Sequence, residues 1–223
     1  SITKGTLIVD QAVSLNNAAD SYNKSDFINS SVDVNSSITG SNTGQLGVGQ
    51  VNYGTGAAPA DRARITINNN NVIDMSGNKS TGILADFGDI TNTGAGSFIK
   101  VTGEQSTGIY AANGTAVNNT GTINIGNKSI GIYGVNYLDG VTSSSTLGYG
   151  NDRIDITNNG NIISTGTTHG GYGIYANNTA VPAANSIINL GSGSNIDVSS
   201  GEAGIGVYAV NSTLKIDGNI TVG

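Results

Sequence analysis

Two places in the chain bring carboxylate and guanidinium groups close together: Asp61 with Arg62 and Arg64, and Asp152 with Arg153 and Asp155. Carboxylates flanked by arginine are what a polysaccharide lyase or hydrolase uses, one group to move a proton and a cation to hold an acidic sugar. The other carboxylates are scattered, and local charge pairing at a corner accounts for both clusters without chemistry. His169, the only histidine, stands in "STGTTHGG" in a chain without cysteine, so it makes no metal site alone and has no thiol partner.

Two glycine patterns look like cofactor motifs and fail on their context. Gly204-Ile205-Gly206-Val207-Tyr208-Ala209 has the Ala-ended form of the dinucleotide fingerprint, which needs a helix from its second glycine; "VYAVNSTLKID" reads as strand, turn, strand. Gly170-Gly171-Tyr172-Gly173 resembles a calcium-binding nonapeptide, but Tyr175 stands where that coil needs a carboxylate. No cofactor and no metal are expected. The chain is read as a non-enzyme, with a lyase or hydrolase on the Asp/Arg clusters as the alternative.

The tyrosines offer a different chemistry. Tyr110, Tyr133, Tyr175 and Tyr208 recur at one position of a repeated segment, with Leu84 in the same column. Such a column is either an aromatic ladder that stabilises stacking or a platform for sugar rings. Tyr53, Tyr137, Leu138, Asp139 and Tyr149 lie in two segments, 53–61 and 137–152, that interrupt the repeat. Loops on a rigid scaffold are where recognition usually sits, so these residues join the candidate ligand-binding set.

These residues must be positioned by strands. Gly and Asn are abundant and Leu, Lys, Glu and Gln scarce, which disfavours long helices; Ile, Val, Thr and Tyr favour strands. Charged residues are only 11% and prolines two, too few of either for a disordered chain. The net charge of -6 and the absence of a basic run exclude nucleic acid as a partner and disfavour anionic lipid. No apolar stretch is long enough for a membrane-spanning helix, and "SITKGTLIVD" is not a signal peptide, so a targeting signal is expected to be removed or to lie elsewhere.

The repeat is found by sliding the chain on itself. Gly82-Ile83-Leu84-Ala85, Gly108-Ile109-Tyr110-Ala111, Gly131-Ile132-Tyr133-Gly134, Gly173-Ile174-Tyr175-Ala176 and Gly206-Val207-Tyr208-Ala209 match, and Gly47-Val48-Gly49-Gln50 is a degenerate copy. The shortest interval, 23 residues from Gly108 to Gly131, is the size of one solenoid coil. "RITINN" from Arg64 and "RIDITNN" from Arg153 follow the two insertions, each of which comes after a "VNY". Within a unit, three short alternating runs separated by Asn and Gly predict a triangular coil of three strands, Ile and Val inward.

Parity in the anchor strand puts Thr81-Ile83-Ala85, Thr107-Ile109-Ala111, Ile130-Ile132-Gly134, Tyr172-Ile174-Ala176 and Ile205-Val207-Ala209 toward the core. Asn at the corners is expected to hydrogen-bond its amide from coil to coil. About seven coils are expected, roughly 35 Å in all. The single solenoid over 1–223, less regular over 1–41, is expected to be a fragment of a longer protein.

The passage "STGIYAANGTAVNNTGTINIGNKSIGIYGVN" resembles the passenger domains of large fusobacterial autotransporter adhesins, built from degenerate copies of S-x-G-I-Y, N-N-x-G and T-I-N-I-G. Similar copies run from about Gly47 to Gly223, and Ser1 to Ser41 matches only in composition. The resemblance implies a right-handed parallel β-helix displayed at the cell surface or released extracellularly, membrane-attached only through a C-terminal outer-membrane barrel absent here. It implies partners on other bacteria or host cells, surface glycans or protein receptors, and supplies no ligand motif to transfer.

Overall fold

Runs of four to six residues with alternate Ile or Val have one apolar face each and are too short to stand as hairpins, so they must bury that face against copies of themselves. The computed structural model, which describes residues 5–15, 30–51, 65–136, 153–178 and 185–223, arranges them in three parallel sheets, with no helix among the described residues. The first sheet stacks β1 (Gly5–Val9), β3 (Ser30–Val34), β6 (Ile65–Asn69), β9 (Gly88–Asn92), β12 (Ala116–Asn119), β15 (Asp155–Asn158), β18 (Ser186–Leu190) and β21 (Ser212–Ile216). The second stacks β2 (Val13–Leu15), β4 (Ile38–Gly40), β7 (Val72–Met75), β10 (Phe98–Val101), β13 (Thr122–Ile125), β16 (Asn161–Ser164), β19 (Asn195–Val198) and β22 (Asn219–Val222). The third stacks β5 (Leu46–Val51), β8 (Thr81–Asp86), β11 (Thr107–Ala112), β14 (Ile130–Val135), β17 (Tyr172–Asn177) and β20 (Ile205–Val210).

From β5 onward the chain visits third, first and second sheet in turn, one strand of each per coil, the topology of a parallel β-helix. Two sheets are eight strands deep, one more than the repeat suggested. The difference comes from β1 to β4, which stack in register although residues 1–41 carry no anchor motif. Ile109, Ile123 and Ile125 of the minimal coil are fully buried, as are their counterparts Ile83, Ile99, Ile132, Ile162 and Ile196. Each such side chain contributes about 1.5–3 kcal/mol relative to exposure.

The parity expected for the anchor strand holds only for its second half, and in β20 not there either, since Val207 is half-buried and Ala209 exposed. Ile109 and Ala111 are buried, but Thr107, Ile130 and Tyr172 are half-exposed and Ile205 is exposed, so the first residue of each triplet faces outward. Glycine is the reason. Thr107 pairs with Ile130 and Ile109 with Ile132, while Gly108 and Gly131 between them drop out of the pairing, and Gly82, Gly173 and Gly206 do the same. A Cβ on Gly108 would lie 2.6 Å from both Ile123 Cγ2 and the Gly131 carbonyl. The glycine therefore turns inward beside the isoleucine that follows it, and the strict two-residue alternation slips by one.

Polar spines complete the coils. Asn69 Nδ2 donates to Asn92 Oδ1 at 2.8 Å, Asn92 to Asn119 at 2.6 Å, Asn119 to Asn158 at 2.6 Å, and Asn158 to Ser194 Oγ at 2.6 Å. All four asparagines are fully buried at the ends of first-sheet strands, which is the expected amide ladder. A serine spine precedes the third sheet: the Ser80 amide donates to Ser106 Oγ and that of Ser106 to Ser129 Oγ, at 3.1 and 2.9 Å. The hydroxyls in turn donate to carbonyls of the previous coil, Ser106 to Gly77 and Ser129 to Gly103. The same corner holds Lys79, Gln105 and Lys128 in left-handed backbone conformations, with φ of 55°, 58° and 53°.

The two insertions, 53–61 and 137–152, lie outside the described residues. The chain leaves β5 and β14 of the third sheet before them and re-enters at β6 and β15 of the first after them.

Replacing Asn119 by Ala removes one rung and orphans the Asn92 amide hydrogen and the Asn158 carbonyl; equilibrium denaturation should show a loss of about 1–3 kcal/mol per orphaned group. Gly108→Ala should destabilise by about 1–3 kcal/mol through overpacking, against a near-neutral Thr107→Ala on the outer face of the same strand.

Candidate functional site

The inward slip at each glycine turns the first residue of each anchor strand outward, so the third sheet, like the other two, has two outward rows. One row holds Leu46, Thr81, Thr107, Ile130, Tyr172 and Ile205; the other holds Gly49, Leu84, Tyr110, Tyr133, Tyr175 and Tyr208. Neither contains a charged residue. At Gly49 the space is taken by the Leu46 side chain, which a Cβ there would strike.

Adjacent tyrosines of the second row meet. Tyr110 and Tyr133 pack edge to face at 5.0 Å between ring centroids, Tyr133 and Tyr175 at 5.2 Å, and Tyr175 and Tyr208 stack at 4.8 Å with 18° between planes. Tyr172 adds a fifth ring from the neighbouring row, 5.5 Å from Tyr175. The cluster is partly sheltered: Tyr110, Tyr133, Tyr172 and Tyr175 are half-exposed and Tyr208 is 42% exposed. Burial pushes the Tyr110 phenol above its ordinary value, with Tyr133 and the Asp86 carboxylate adding to the shift. Burial, then Tyr175, raises Tyr133.

The other two sheets are dressed differently. One outer column of the first sheet reads Ile8, Asp33, Asn68, Thr91, Asn118, Thr157, Asn189 and Lys215, polar in all but its first member. Its members bond across coils, Asn68 to Asp33 at 2.7 Å and Thr91 to Asn68 at 2.6 Å. That of the second sheet includes Asp74 and Lys100, paired at 2.9 Å, then Asn124. Polar columns stack as well as aromatic ones, so coil stacking alone does not demand tyrosine outside the third sheet.

The structure assembles the tyrosine column and extends it by Tyr172, which simple alternation had assigned to the core. The legible signal was Tyr172 and Tyr175 three apart around Gly173, a bulge spacing. Tyr53, Tyr137, Leu138, Asp139 and Tyr149 lie outside the described residues, as do Asp61, Arg62, Arg64 and Asp152. Arg153 pairs with Asp155 at 2.8 Å, both side chains well exposed. Such an exposed pair is worth little to stability. His169 is half-buried; its backbone bridges to Glu202, and its amide donates to Asn127 Oδ1 at 3.3 Å. Lys128 bonds the exposed Glu104 at 2.7 Å and lowers its carboxyl. Both glycine motifs run into strands, Gly204 into β20 and Gly170-Gly171 into β17, and among the described residues no three His, Asp or Glu gather into a metal-binding group.

No family model, curated protein or solved structure matches the chain.

The raised phenols fix a pH dependence. Their folded values exceed the unfolded ones, so the neutral form is favoured in the fold. That stability is complete below about pH 10 and is lost as pH rises through the folded values. A tyrosinate absorbance titration should show a late component that Tyr133→Leu diminishes, and the denaturation midpoint should fall with pH over that range.

Proposed function

We propose that the chain is a segment of a surface-displayed adhesin rod of the fusobacterial autotransporter passenger type, attaching its cell to other bacteria or to host cells. The observation that carries the reading is the uncharged tyrosine face on a rigid, polar-spined solenoid. Composition agrees: no cysteine to cross-link during export, and an acidic net charge unsuited to nucleic acid. The repeats S-x-G-I-Y and N-N-x-G, on which the resemblance rests, coincide with the serine spine, the anchor strand and the asparagine spine. Display at the outer membrane, through a barrel encoded downstream, belongs to the same proposal.

The reading is non-enzymatic. A lyase or hydrolase would bring carboxylates together across coils, whereas the described part of the Asp/Arg pattern is a pair within two residues, Arg153 with Asp155.

Direct binding and mere spacing predict different outcomes for one exchange. In a passenger that carries this segment, the coils are replaced by an equal number from an unrelated β-helix, and attachment to epithelial cells and to partner bacteria is counted. Loss of attachment with surface display intact is the expected result. Undiminished attachment would reduce the segment to a spacer.

A further inference from the structure

We propose that the outer face of the third sheet is a binding platform for an extended, uncharged oligosaccharide that lies along the solenoid axis across Tyr110, Tyr133, Tyr172, Tyr175 and Tyr208. The proposal deepens the adhesin reading and rests on it for its biological setting, but its physical basis is separate.

Period comes first. Successive tyrosines advance by one coil, with centroids 5.0, 5.2 and 4.8 Å apart. One pyranose ring in an extended glycan advances by a similar distance, so a repeating ligand can meet a repeating site in phase, one sugar per coil. A sugar ring also has the right chemistry for such a surface. Its axial C–H face is apolar and slightly positive, matching the negative face of an aromatic ring, and its rim hydroxyls can reach the phenolic oxygens. Tyrosine in place of phenylalanine throughout the column fits a ligand that is apolar on its face and polar at its rim.

Charge comes second. Both outward rows lack charged residues, and the nearest carboxylate at the corner, Asp86, is buried and accepts a hydrogen bond from Asn113 at 3.0 Å. The rows themselves present no cation to an acidic glycan; Lys79 and Lys128 stand at the corner before the sheet, Lys128 paired with Glu104, and the net charge of -6 repels an anion at long range. A neutral chain is selected.

Size comes third, and it decides against a protein. Four tyrosine coils span roughly 15 Å at about 4.8 Å per step. The whole outer face from Leu46 to Tyr208, roughly 25 by 12 Å on the same spacings, is about 300 Å². That falls well under the ~800 Å² per partner of a stable protein interface, so a second copy laid on this strip would bury too little to hold. Three or four sugar rings, one per coil, would cover the roughly 15 Å of the four tyrosine coils.

Intrinsic fluorescence makes the test direct, because the chain has nine tyrosines and no tryptophan. The whole 223-residue chain is titrated with cello-, chito- and β-galacto-oligosaccharides of one to six rings. At least one series should change tyrosine emission, with affinity rising with each ring up to about four and then levelling, as four stacked coils require. Tyr175→Leu should weaken binding about five- to ten-fold. Leucine already occupies this column at Leu84, so the coil tolerates it, and a thermal melt checks that the variant is folded. Should the variant not fold, ring-proton NMR on the unmodified chain replaces it, with saturation shifts expected at the clustered tyrosines. Binding without length dependence, shifts away from this face, or no response to any series overturns the proposal. A dimer abolished by Tyr133→Leu and Tyr175→Leu also overturns it, in favour of a second copy. If the chain adheres to cells but binds no oligosaccharide, the platform fails while the adhesin reading stands.

Discussion

Everything in this fold depends on the backbone hydrogen bonds that tie each strand to its counterpart one coil away. They hold neighbouring coils about 4.8 Å apart and in fixed register, so any residue type that recurs once per coil is placed against copies of itself. Like-on-like stacking then becomes a constraint on chemistry. Isoleucine satisfies it inside, where Ile109 lies beside Ile83 and Ile132. Asparagine satisfies it at a buried corner because its amide is both donor and acceptor, so the chain of bonds from Asn69 to Asn158 continues without a mismatch. A carboxylate in that column would repel its neighbours; the buried Asp86 stands in another column, between Val51 and Ala112, and accepts a hydrogen bond from Asn113.

Glycine plays a more specific part than flexibility. At Gly82, Gly108 and Gly131 the strand backbone approaches an isoleucine of the second sheet and the carbonyl of the next glycine, leaving no space for a Cβ. That close approach costs one residue of alternation. It also turns Thr107, Ile130 and Tyr172 outward, so the third sheet presents two rows to solvent. The place of Tyr172 in the tyrosine cluster therefore depends on the glycine column.

The repeat, the strand content and the inward isoleucines were legible in the sequence because each recurs locally and obeys a simple period. The asparagine ladder was legible for the same reason. Tyr172 was misplaced because alternation was counted across Gly173, and a bulge breaks that count without leaving a long sequence trace. The coils formed by β1 to β4 were hidden differently: they are held by register with β6 and β7, not by a recognisable anchor motif of their own. The tyrosine column could be lined up from sequence, but its half-exposure, edge-to-face contacts and uncharged surroundings are properties of three sheets together.

The interior spines bear on where specificity can lie. Inside, several columns carry much the same residue over successive coils, isoleucine from Ile73 to Ile220 and asparagine from Asn69 to Asn158, because packing or hydrogen bonding requires it. Outside, the first sheet passes from Asp33 through Asn68 and Thr91 to Lys215, and the second from Asp74 to Lys100 to Asn124, so stacking tolerates variety there. Against that latitude, four consecutive tyrosines in one outer column are more uniform than the scaffold needs. Uniformity beyond what stability demands is what a site for a periodic partner would produce, since each coil then meets the same group of the ligand. A discrete partner would instead require neighbouring coils to differ.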